Sequence, residues 1–92
     1  MPTLRFEGGA TIRSAAEAQL LLREALAAGG DVEVDCAGVD EADITFLQLL
    51  IAAHRSAVQR GIALRLAPPP SPELLAVVER AGVAMPPGMM PE

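Results

Sequence analysis

The 92-residue chain contains no tryptophan, no tyrosine and no lysine, and its only aromatic residues are Phe6 and Phe46. Without aromatic faces on which bases stack, a platform for single-stranded nucleic acid is excluded. Every basic residue is an arginine, and these stand singly from Arg5 to Arg80. With a net charge of −5 and no basic patch, neither nucleic acid nor an anionic membrane surface is an expected partner. The lone Cys36 cannot close an internal disulfide, so a reducing, cytoplasmic setting is the expectation. No apolar run approaches the ~20 residues of a spanning helix, and the N-terminus has no charged-then-apolar leader pattern, so direct membrane insertion is not expected.

Cofactor and catalytic signatures are missing as well. Neither Gly8-Gly9 nor Gly29-Gly30 belongs to a GxGxxG or GxxxxGK[ST] loop. One histidine, one cysteine and acids strung along a strand and loop do not have metal-ligand spacing. Cys36 falls on the apolar side of a strand, as an inert thiol does, and His54 beside Arg55 reads as a half-exposed surface residue. No catalytic residue, cofactor or metal is therefore expected, and the chain does not read as an enzyme.

What is present is aliphatic. Hydrophobic residues make up 51% of the chain, which argues against disorder and for one small core. "TLRFE" (Thr3 to Glu7) alternates as a short strand; Gly8-Gly9 then turn the chain, and "ATI" continues it briefly. Ser14 with Glu17 three residues on forms a capping box for a helix whose core stripe is Ala18, Leu21, Leu22 and Ala25. Gly29-Gly30 stop that helix. "DVEVDCA" sets Val32, Val34 and Cys36 against Glu33 and Asp35, a second strand with one apolar face. A second helix runs from about Asp43 to Arg60, closed by Gly61, and "IALRLA" is a third strand. Ser71-Pro72-Glu73 opens a third helix that ends at Gly82. Strands alternating with helices imply a mainly parallel sheet joined by right-handed crossovers. The expected organisation is one α/β domain over residues 1–84 and a flexible tail over 85–92.

The stretch "DEADITFLQLLIAAHR" (Asp40 to Arg55) carries the functional interest. Asp31, Glu33, Asp35, Asp40, Glu41 and Asp43 are half of the 12 acids, gathered within 13 residues. They either stabilise the positive end of the second helix, at ~0.3–1 kcal/mol each, or form an acidic rim for a basic partner. In the first two turns Phe46, Leu47, Leu49, Leu50 and Ile51 cover nearly the whole circumference. Leu47, Leu50 and Ile51 make a sheet-facing stripe. That leaves Phe46 and Leu49 either covered by a neighbouring helix or exposed to a partner. Thr45 either bonds a free backbone N–H in the first turn or accepts a phosphate.

The strand ending in "VDCAGV", the acidic loop and a helix opening on D-x-[ST]-x-L-Q-L-L resemble the STAS domain family of bacterial anti-sigma factor antagonists. The likeness continues through "HRSAVQRGIALRLA" and "PSPELLAVVERAGV", over about residues 3 to 84. It implies a mixed, mostly parallel sheet of about four strands with helices mainly on one face. It also implies a non-catalytic partner-switching module that binds a GHKL-type serine kinase holding a sigma factor and is released by phosphorylation. Relatives serve as soluble parts of anion or lipid transporters and beside chemotaxis components, so the implied partner is a kinase/anti-sigma protein, a chemotaxis component or a transporter subunit. On the family motif, Asp43 takes the aspartate position and Ile44 that of the phosphoacceptor. Thr45 takes the second hydroxyl, and Phe46 replaces a glycine, adding bulk where a kinase would approach. Ile44 cannot be phosphorylated, and Thr45 lies ~100° round the helix from it. The partner-binding residues implied are Asp40, Glu41, Asp43, Ile44, Thr45 and Phe46, with Thr45 the candidate phosphoacceptor. Without a switch the domain would bind constitutively.

Overall fold

In the computed structural model the described residues are 3–68, 71–82 and 89. Strand β1 (Thr3–Ala10) leads through one 3-10 turn (Ile12–Ser14) into helix α1 (Ala15–Ala27). Strand β2 (Val32–Ala42), helix α2 (Ile44–Gln59), strand β3 (Leu64–Leu66) and helix α3 (Pro72–Ala81) follow. The strands pair in parallel in the order β1-β2-β3. Each crossover therefore steps in the same direction, and right-handed connections put α1 and α2 on one face of the sheet. The expected α/β architecture is present, with three strands rather than four among the described residues.

Gly8-Gly9 do not turn the chain. They continue β1 opposite the second half of β2, with Gly8↔Val39 and Gly9↔Glu41 in register. Gly8 takes φ 70°, which costs a glycine nothing and lets the ladder shift there. The stretch Gly38 to Ala42, expected as a loop, is thereby strand, and of "ATI" only Ala10 belongs to β1. Two register shifts, between Arg5 and Glu7 and between Gly8 and Gly9, each give β2 an extra residue. They change which side chains face inward. Val32, Val34 and Cys36 alternate into the core, but after the first shift the next buried residue is Val39. At that shift the Ala37 N–H donates to Asp35 Oδ1 at 2.9 Å.

The capping box also lies elsewhere than expected. Ser14 precedes α1 but makes no side-chain cap; the reciprocal pair is Thr11 and Ser14, around the 3-10 turn. The buried face of α1 is Ala18, Leu22 and Leu26, with Leu21 and Ala25 half-buried beside it. Helix α3 begins as expected at Ser71, whose Oγ accepts from Leu74 N and donates to the Val39 carbonyl at 2.9 Å. That second bond is long-range, so the cap of α3 is also its tether to β2. Gly82 ends α3 in the left-handed conformation.

The core gathers Val32, Val34 and Leu64 from the sheet with Phe46, Leu47 and Leu50 from α2 and Leu74 from α3. Within the segment 85–92, only Met89 is among the described residues. It is buried in this core, and its carbonyl accepts from Leu66 N at 2.8 Å on the outer side of β3. The rest of that segment lies outside the described residues.

Candidate functional site

The seam between β2 and α2 is built around one carboxylate. Asp43 has extended backbone and is the N-cap of α2, and its N–H donates to the Ala10 carbonyl at 3.2 Å. Its Oδ1 accepts from Phe46 N at 3.1 Å, and its Oδ2 accepts from Ile12 N at 2.8 Å. The first of these satisfies an unpaired donor of α2; the second reaches 31 residues back to the 3-10 turn. Asp43 is half-buried and has both oxygens engaged within the domain, so its role at the seam is to join two helix starts.

The neighbouring residues divide by exposure. Asp40 is the extra residue at the second register shift, and it and Glu41 are exposed. Ile44, the first residue of α2, is 41% exposed. Thr45, one step round the helix, is half-buried. Phe46 is 1% exposed and packs edge-to-face on Phe6, with ring centroids 5.3 Å apart at 78°. It does not reach the surface, so the expectation of added bulk facing a partner is corrected. The reason is helical geometry: Phe46, Leu47, Leu50, Ala53, His54 and Ala57 form one stripe against the sheet. Ile51, expected in that stripe, is half-buried at its flank.

The acids do not form a single rim. Asp31, at the opposite end of β2 from the seam, accepts from Ala63 N at 2.8 Å. Glu33 and Asp35 sit on the outward face of the sheet, where Asp35 pairs with Arg5 at 3.4 Å. Only Asp40, Glu41 and Asp43 come together at the start of α2. The bulges and strand pairing that separate the six leave no trace in the spacing of acids.

Ile44 borders two shallow apolar depressions. One, of about 250 Å³, is lined by Ile44, Leu47, Gln48, Ile51, Ala52 and Arg55. The other, of about 430 Å³, lies towards α3, lined by Asp43, Ile44, Val77, Arg80 and Ala81. The contribution of α3 was not read from the sequence; the exposed end of its amphipathic face was the available signal. Neither depression collects the nucleophile and base that catalysis would need.

Cys36 and His54 are not such a pair. Burial, and secondarily the charge of Asp35, pushes the Cys36 thiol up to about 12, so it holds its proton. His54 is not a surface residue: it is 9% exposed, and its Nδ1–H donates to the Leu64 carbonyl at 3.1 Å. Its ring lies on the inner stripe of α2, one turn beyond Leu50, and bonds across to β3.

A family model described as Mlab, STAS domain matches residues 1–91. The chain belongs to the STAS domain family. No curated protein matches it. STAS domains are generally non-catalytic modules of the sulfate-transporter and anti-sigma-antagonist type. No helix among the described residues is long and apolar enough to cross a membrane.

Proposed function

We propose that this STAS domain is a constitutive protein-protein interaction module, docking a partner through the start of α2. Asp40, Glu41, Ile44 and Thr45 supply the contact, and Asp43 and Phe46 hold the seam in shape beneath it. The observation that carries this reading is Ile44. An aliphatic side chain stands 41% exposed at the position where the family motif has its phosphoacceptor. A hydroxyl there would toggle between neutral and doubly charged; an isoleucine offers a fixed apolar contact between two apolar depressions. Thr45 remains the candidate phosphoacceptor, but the residue is half-buried and turned ~100° from Ile44.

The partner classes the family offers are a GHKL-type anti-sigma kinase, a chemotaxis component and a transporter subunit. The missing hydroxyl at 44 favours a second reading among these: a soluble STAS subunit permanently docked on a lipid or anion transporter, for which release by phosphorylation has no use. Binding titrations against purified candidates of each class separate the readings. Ile44→Asp, which sets a charge where the family's phosphate would sit, is expected to weaken the genuine complex at least tenfold with the fold intact. Unchanged binding by Ile44→Asp and by Asp40→Lys/Glu41→Lys would refute docking through this seam. A mass increase of one phosphate on incubation with a kinase, lost in Thr45→Val, would instead restore the switch.

A further inference from the structure

The two edges of the sheet differ. At β3 the edge is three residues long, and the Leu66 N–H is taken by the Met89 carbonyl. At β1 the edge is eight residues long, and among the described residues β1 pairs only with β2. A long unpaired edge is a template for another strand unless charge or shape repels it. The charges here are arranged the other way. Arg5 and Glu7 are both exposed, two residues apart on the same face, with Phe6 half-buried between them on the other.

We propose that β1 is a self-association edge, on which a second copy of this chain pairs antiparallel about a two-fold centred on Phe6. In that register Arg5 lies opposite the copy's Glu7 and Glu7 opposite its Arg5, while the two Phe6 rings face each other. Neighbouring registers that keep the two sheets in phase fail on charge: centring on Arg5 opposes two arginines, and centring on Glu7 opposes two glutamates. Like charges directly opposite destabilise a pair and opposite charges stabilise it, so the side chains select one register.

The surroundings fit the same occupant. Beside β1 lies a cleft of about 190 Å³ whose apolar lining includes Phe6, Ala18, Leu21 and Phe46. A two-fold perpendicular to the sheet keeps both α1 helices on one face, so each cleft opens towards the α1 of the other copy. Pairing closes both β1 edges at once and uses none of the seam residues Asp40, Glu41, Ile44 and Thr45. Self-association and partner docking are therefore compatible and separately testable.

Sedimentation equilibrium on the wild type is expected to show a reversible dimer. Arg5→Glu and Glu7→Arg, each checked for native far-UV circular dichroism and melting temperature, should each weaken self-association at least tenfold. The double variant R5E/E7R should recover it. Mixing the two single variants should also form a heterodimer, because every opposed pair is then complementary. A wild type that is monomeric up to millimolar concentration overturns the proposal. So does a dimer whose affinity is indifferent to both charge reversals, or single variants that fail to combine on mixing.

Discussion

Replacing Asp43 by alanine tests whether this carboxylate is architecture or contact surface. The substitution removes the acceptors for Phe46 N at 3.1 Å and Ile12 N at 2.8 Å. Loss of an N-cap costs about 0.5–2 kcal/mol, typically near 1. The Ile12 bond is charge-assisted, but it lies at an exposed site where water can take over the N–H, so its loss adds about 1 kcal/mol. The expected total is about 2 kcal/mol. In a domain of this length that lowers the melting temperature by roughly 8–16 °C without unfolding the chain at 25 °C. Asparagine caps helices as well as aspartate does but has only one acceptor oxygen, so Asp43→Asn should lie about midway. With no Trp or Tyr in the chain, the readout is far-UV circular dichroism during thermal and urea unfolding. A loss below ~0.5 kcal/mol for Asp43→Ala would refute the two-helix clamp, because a lost N-cap alone reaches that value. Equal losses for alanine and asparagine would refute it too, since the second oxygen would then count for nothing.

Phe46→Ala removes a core ring and its contact with Phe6, so a loss of about 3–5 kcal/mol in urea unfolding is expected; a near-neutral effect would put that ring at the surface. His54→Ala should cost about 1–3 kcal/mol in the same assay by leaving the Leu64 carbonyl without its ring partner, and His54→Gln should recover part of it. Raising the folded Cys36 thiol from 9.0 to about 12 makes folding proton-linked, because between those values the unfolded chain loses a proton that the folded chain keeps. Stability from this group is thus fully present below pH 9 and falls as pH rises towards 12; Cys36→Ala should flatten that slope in urea midpoints measured against pH. The native thiol should also resist alkylation at pH 8 and react on unfolding.

Much of the fold was legible because it rests on local rules. The alternation of Val32, Val34 and Cys36, the Ser71-Pro72 opening of α3 and its Gly82 stop each follow from a few adjacent residues, and each stands where the spacing placed it. The errors fall where a distant partner overrides the local signal. Gly8-Gly9 look like a turn, but β2 recruits them into a strand. Ser14 and Glu17 look like a capping box, but Ser14 is bound to Thr11 and to the Gly9 carbonyl. His54 looks exposed beside Arg55, yet the stripe beginning at Phe46 carries it inward to β3.

The candidate site divides in the same way. Sequence alone determined that a run of acids meets an apolar helix at Asp43, and that Ile44, the first residue after it, has no hydroxyl. Those are matters of residue identity and order. Only the tertiary structure decided which of those residues face outward. Pairing of β2 with β1 and its two bulges send Asp31, Glu33 and Asp35 away from the seam, and the 3-10 turn claims the second oxygen of Asp43. Phe6 draws Phe46 into the core, and α3 completes the apolar surface around Ile44. Exposure depends on contacts between residues far apart in the chain, and no local pattern encodes them.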